Sequence, residues 1–147
     1  AVSELMERCD IPYKVEKDMM WGLWFKYMCN VGENLTCALL GIPFGAFRSS
    51  EPANEIRWAA MKEVQAVAAA KGIIITEEQM RKQYDTVCRI PYNNKPSTLQ
   101  DLEAGHKTEI DMFAGGMVRM GKELGIETPV CWMLLQGIKV LEEKNCF

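Results

Sequence analysis

The stretch Met20-Trp21-Gly22-Leu23-Trp24-Phe25-Lys26-Tyr27-Met28-Cys29, continuing through Asn30 and Asn34 to Leu40, decides the fold class. Its first ten residues are apolar or aromatic on nearly every side, with one lysine among them. A helix that is hydrophobic all round belongs in the middle of a bundle, so the pattern predicts a central, buried helix. On an ideal helix Lys26, Asn30 and Asn34 lie within roughly 80° of one another and climb roughly 12 Å. Burying such groups without partners is costly, so this polar stripe must meet other polar groups, water or a ligand. Two readings stand. In one, Lys26 reaches the surface along its aliphatic stem and the amides bond loop carbonyls. In the other, a half-buried Lys26 donates a proton to a developing alkoxide or holds a carboxylate, and the amides orient the substrate.

Working outward, almost every periodic segment reads as helix. Ile56, Ala60, Val64, Val67 and Ala68 form one apolar stripe on a helix that starts near Pro52 and ends at Gly72. Thr76-Glu77-Glu78-Gln79 has the form of a capping box and opens a helix toward Cys88. Ser97-Thr98-Leu99-Gln100 repeats that form, and Thr108-Glu109-Ile110-Asp111 is a weaker version that predicts a helix through Met117 to Leu124, stopping at Gly125. Thr128-Pro129 opens the last helix, with an inner stripe of Val130, Met133, Leu134, Gly137 and Leu141. Ile73-Ile74-Ile75 is too short to found a sheet, and residues 92–96 read as a loop. The expectation is an all-α multi-helix bundle, one domain over residues 1–147. No strand–glycine-turn–helix fingerprint is present, so the chain has no dinucleotide-binding unit of its own.

Composition narrows the function. A length of 147 residues suits one domain, and 48% hydrophobic residues supply a core, which excludes a disordered tail or a fibre. A net charge of −3 gives no basic field for nucleic acid. The single histidine, His106, excludes metal sites that need two and reads as a surface residue beside Lys107, so no metal is expected. No apolar run approaches the ~18 residues of a membrane span, and no leader opens the chain, so the expected location is cytoplasmic. The start at Ala1, without a methionine, is read as that of an excised or processed piece. The six cysteines form no Cys-x-x-Cys pair; Cys29, Cys37 and Cys131 sit in apolar segments and are expected as free buried thiols, with Cys146 exposed near the terminus. Asn34-Leu35-Thr36 matches a glycosylation acceptor by chance. The methionines, Met19, Met20, Met28, Met112, Met117 and Met120 among them, read as core filling.

The string from Ser97 to Asp111 is the second constellation. Two closely spaced helix starts would present free backbone N–H groups to a carboxylate or phosphate, against the plainer reading of capping plus solvated charge.

Together the two segments resemble the C-terminal domain of the ketopantoate reductases (2-dehydropantoate 2-reductases), a 6-phosphogluconate dehydrogenase-like helical fold. The first match is Trp24-Phe25-Lys26 with Asn30, Asn34, Leu35 and Thr36. The second is Ser97-Thr98-Leu99-Gln100-Asp101-Leu102-Glu103-Ala104-Gly105 with Thr108-Glu109-Ile110-Asp111. The helix from Arg57 to Gly72 and the tail from Gly125 to Val130 fit as well. The resemblance implies an NADPH-dependent reduction of 2-dehydropantoate to pantoate in pantothenate biosynthesis. It implies an N-terminal Rossmann domain, absent from this chain, that binds the cofactor, with the active site between the two. It makes Lys26 the catalytic proton donor, Asn30, Asn34 and Ser97 substrate-binding residues, and Glu109 a residue near the cofactor. A further substrate-site asparagine of the family falls at Phe44, which places the substrate, a 2-oxo acid, in question. The spacing from Gly22 through Lys26 to Asn30 is also similar to that of β-hydroxyacid dehydrogenases. A non-catalytic helical dimerisation module is the alternative from another class, and a homodimer is compatible with either.

Overall fold

A computed structural model describes residues 2–13, 15 and 18–144. Among the described residues eight α-helices succeed one another: α1 (Val2–Arg8), α2 (Met19–Cys29), α3 (Leu35–Leu40), α4 (Glu51–Ala70), α5 (Glu77–Val87), α6 (Ser97–Glu103), α7 (Ala114–Leu124) and α8 (Pro129–Glu143). A π turn (Asn30–Asn34) joins α2 to α3, and a 3₁₀ turn (Phe44–Arg48) precedes α4. Among the described residues there is no strand, so the all-α expectation holds.

Helix α4 is the axis. Ser50 caps its first turn by accepting from the Ala53 N–H, and Pro52 sits where its missing donor costs nothing. Its far end turns at Gly72, whose φ of 81° is open to a residue without a Cβ. The buried face comprises Ala60, Met61, Val64, Val67 and Ala68, with Arg57 on the same stripe. Against it lie Met28, Val31 and Leu35 from the first helical stretch, Met117 from α7, and Leu134 and Ile138 from α8, all fully buried. Each such Leu, Ile or Met contributes about 1.5–3 kcal/mol through the hydrophobic effect. A smaller cluster of Cys37, Phe47, Ala53 and Val87 joins α3, the 3₁₀ turn, α4 and α5.

Helix α5 begins as its capping box predicts: the Gln79 N–H donates to Thr76 Oγ1 at 3.2 Å, and the Thr76 N–H to Gln79 Oε1 at 2.8 Å. Helix α8 starts at Pro129, but Thr128 makes no capping bond. Glu63, from the middle of α4, takes its place by accepting from the N–H groups of Val130 and Cys131 at 2.7 and 2.8 Å. Two charge-assisted bonds at a helix N-terminus contribute about 1–2 kcal/mol and fix α8 to α4.

Four local expectations are corrected. The buried face of α8 is Cys131, Leu134, Leu135 and Ile138, while Met133 is exposed; α3, α4 and α7 grip the helix together, and their placement sets the face. Helix α6 has Pro96 as its N-cap with no side-chain capping bond, so the box at Ser97–Gln100 does not form; the Gln100 amide instead donates to the Lys95 carbonyl. No helix starts at Thr108. Its hydroxyl accepts from the Ile110 N–H, two residues on, and donates to Glu142, which holds residues 108–113 in turns until α7 begins at Ala114. The two adjacent helix starts are therefore one.

The fourth correction concerns α2. Met28 is its one buried residue, and Met19, Met20 and Leu23 are exposed. This end lies at the edge of the bundle, where Trp21 stacks on Phe25 and donates from Nε1 to the Ile74 carbonyl. All-round apolarity thus predicted burial that the chain provides only from Met28 onward. The five described cysteines are free, with Cys37 and Cys131 buried and Cys29 half-buried; Cys146 lies outside the described residues. Burial pushes the Cys29 and Cys37 thiols up to about 12, with the Glu33 charge adding to the shift, which leaves them unreactive. Met28 and Met117 fill the core, whereas Met19, Met20 and Met112 are exposed and Met120 is half-buried. His106 is exposed, as expected.

Candidate functional site

The stripe of Lys26, Asn30 and Asn34 does not lie on one uninterrupted α-helix. Across residues 30–34 the chain widens to a π turn, in which the Leu35 N–H donates to the Asn30 carbonyl five residues back. A π turn carries more residues per turn than an α-helix, so Asn34 does not advance by the further ~40° that an α-helix imposes. Asn30 and Asn34 are bonded to each other: the Asn34 amide donates to Asn30 Oδ1 at 3.1 Å. Both amides are half-buried. Lys26, one turn earlier, is exposed and has no salt-bridge partner among the described residues. It therefore reaches the surface, as the plainer reading held. The amides bond each other and not loop carbonyls.

The buried side of the same turn explains its shape. Gly32 lies against α4, where a Cβ would collide with Met61 Cγ and sit 3.1 Å from the Arg57 carbonyl. Beside it, Glu33 is buried and ion-paired with buried Arg57, Oε1 to the guanidinium at 3.3 Å. The Gln83 amide on α5 donates to the other oxygen, Oε2, at 3.0 Å. Burial pushes the Glu33 carboxyl up to about 7, against the pull of Gln83 and Arg57. Arg57 also lies over the rings of Tyr84 and Phe47, 5.3 and 5.7 Å from their centroids. Its Nε donates to Asn54.

The second string reaches the first through two contacts. Helix α6, which opens with exposed Ser97, packs against the π turn. The Tyr27 hydroxyl, next to Lys26, donates to the Phe113 carbonyl at 2.6 Å, four residues after exposed Glu109. Burial, with Cys131 nearby, holds this phenol well above its ordinary value, so it stays a donor. The backbones bearing all five expected site residues are thereby tied together. Lys26, Ser97 and Glu109 share no hydrogen bond, and all three face solvent.

Sequence reasoning missed Tyr27, Glu33 and Arg57. The signal for the last two was present: a charged residue inside an apolar run, and an arginine at helical spacing on the buried stripe with Ala53, Ala60, Met61 and Val64. A groove of about 500 Å³ runs between α2 and α7, lined by Met20, Leu23, Trp24 and Tyr27 on one side and Met112 and Met120 on the other. Among the described residues no group of three histidine, cysteine or acidic side chains stands close enough to hold a metal ion. No described helix is long and apolar enough to cross a membrane.

The fold is the helical bundle of ketopantoate-reductase and 6-phosphogluconate dehydrogenase-like C-terminal domains. The chain belongs to the family described as ketopantoate reductase PanE/ApbA C terminal, whose model matches residues 18–142. A 2-dehydropantoate 2-reductase of Streptococcus pyogenes serotype M6 is 30% identical over 143 residues, covering 96% of this chain and 46% of the relative. The crystal structure of a PanE/ApbA family ketopantoate reductase from Ralstonia eutropha JMP134 is 25% identical with a TM-score of 0.87, covering 99% of this chain and 49% of that one. D-mandelate dehydrogenase, solved with NADH and anilino(oxo)acetate, shares the fold at a TM-score of 0.89 and 19% identity, covering 99% of this chain and 61% of that one. The chain spans about half the length of the curated relatives it matches.

Proposed function

We propose that this chain is the substrate-side domain of an NADPH-dependent reductase that converts 2-dehydropantoate, or a similar 2-oxo acid, to the 2-hydroxy acid in pantothenate biosynthesis. The observation that carries the reading is Lys26: an exposed ammonium one turn ahead of a bonded amide pair, in this family's helical domain.

Reduction of the ketone adds a hydride to the carbonyl carbon, breaks the C=O π bond and leaves an electron pair on oxygen that takes up a proton. The nicotinamide of NADPH supplies that hydride when bound. Lys26 stands at the oxygen, stabilises the charge as it develops and donates the proton. Its exposure lets water restore the proton after each turnover. The bond between Asn34 and Asn30 fixes both amide planes and leaves the Asn30 N–H groups to the substrate carboxylate. Ser97, at the first position of α6, adds a hydroxyl from the neighbouring element.

The residues present suit a minor share of cofactor binding. With no strand among the described residues, the chain supplies no nucleotide cradle, and its contribution is the exposed Glu109 carboxylate on the 108–113 turn. A Rossmann domain preceding this one in the complete protein holds the cofactor, and the cytoplasm is its place of work. Phe44, half-buried in the 3₁₀ turn, packs against the Cys37, Phe47, Ala53 and Val87 cluster where the resemblance implies a substrate-binding asparagine, so another 2-oxo acid competes with 2-dehydropantoate for the assignment.

The test is loss of NADPH by the complete protein with 2-dehydropantoate and with 2-oxo acids bearing bulkier apolar tails. Turnover of at least one, and none by the 147-residue chain alone, is expected. Inertness of the complete protein toward the whole panel, or turnover by this chain alone, contradicts the reading.

A further inference from the structure

We infer that Glu33 is a positioning residue: with Arg57 and Gln83 it anchors the π turn from behind and so sets the orientation of the Asn30–Asn34 amide pair. The inference rests on the proposed reductase reading for its kinetic consequence, and on geometry alone for its structural one.

Three contacts converge on the buried side of this one turn. Gly32 admits the backbone of α4 at close range, the Glu33 carboxylate meets the Arg57 guanidinium, and the Gln83 amide from α5 takes the second carboxylate oxygen. Arg57 is itself held between two rings and the Asn54 side chain. Glu33 is thus fixed from two helices at once, and it is the immediate chain neighbour of Asn34. A π turn is a rare way to continue a helix, and here the packing behind it includes a fully partnered buried carboxylate. An α-helical turn in its place would rotate Asn34 by about 40° relative to Asn30 and change the angle at which the two amides meet.

The decisive variant combines Glu33→Gln with Arg57→Met in the complete protein, which removes both charges at similar volume and strands neither. The expected result is a rise of about tenfold in KM for the 2-oxo acid, an unchanged KM for NADPH and a smaller fall in kcat. An unchanged KM for the 2-oxo acid overturns the inference, because a merely structural role lowers the active fraction without moving KM. If the double variant does not fold, Gln83→Leu, which removes only the Oε2 contact, is read by the same split with a threefold rise expected. A second readout needs no turnover. The side-chain amide ¹H–¹⁵N signals of Asn30 and Asn34, assigned in the substrate-free complete protein, shift or broaden in the variant if the pair reorients; unmoved signals overturn the inference. A wild-type protein inert toward every 2-oxo acid counts against the reductase reading alone, and the amide signals then decide this one.

Discussion

In the complete protein, Lys26→Ala is expected to lower kcat by about two to four orders of magnitude, the range that a positioned general acid supplies. The fold is unaffected: Lys26 is exposed and unpaired among the described residues, so its loss moves the unfolding midpoint by no more than about 2 °C. Lys26→Arg separates charge from proton transfer. A guanidinium retains the positive charge but does not release a proton at neutral pH, so it recovers substrate affinity more than turnover. Steady-state kinetics on the three proteins, beside thermal unfolding, checks both halves. Near-normal turnover of the alanine variant removes Lys26 from the acid role.

The largest effect on stability is expected from Arg57→Ala. Arg57 is 3% exposed and Glu33 is 4% exposed, so removing the cation leaves a buried carboxylate with one neutral partner, Gln83. Breaking one side of a buried ion pair costs about 3–5 kcal/mol, because the surviving acid either keeps its charge without the attraction or takes up a proton and loses the ion pair. The stacking on Phe47 and Tyr84 is lost as well. Urea denaturation measures the difference. The paired replacement Glu33→Gln with Arg57→Met is expected to cost far less, since it strands no charge. A loss below about 1 kcal/mol in Arg57→Ala contradicts the description of this pair as buried and mutually dependent.

What the sequence made legible follows from which interactions are local. Thr76 and Gln79 bond within one turn, so the start of α5 could be read from four letters. The stops at Gly72 and Gly125 needed only a residue suited to positive φ. The box at Ser97 failed because Pro96 already ends the preceding chain in the required extended conformation, and Gln100 found a carbonyl outside the box. The helix expected after Thr108 failed because Glu142, 34 residues away, claims the hydroxyl. The π turn was invisible for the same reason. Glu33 stands out as a charge in an apolar run, but neither it nor Gly32 announces a π turn until α4 and α5 are in place behind them.

At the site, the residue types and spacing named Lys26, Asn30 and Asn34 as one polar face, and the bond between the two amides agrees with that grouping. Periodicity alone did not join them to Ser97 and Glu109; the family resemblance did. The tie runs through Tyr27, whose hydroxyl bonds a carbonyl 86 residues away. Such a contact leaves no pattern in the chain. The exposed flank of α2 was likewise misjudged, because periodicity reports that a surface is apolar and says nothing of whether this chain covers it.

The central claim is that the Lys26 ammonium donates to the oxygen of a 2-oxo acid held by the Asn30–Asn34 pair. A crystal structure of the complete protein with NADP⁺ and a non-reactive 2-oxo acid analogue tests it most directly. Lys26 Nζ is expected within hydrogen-bond distance of the keto oxygen, with an Asn30 or Asn34 amide on the carboxylate. A ligand seated elsewhere, with Lys26 left in open solvent, contradicts it.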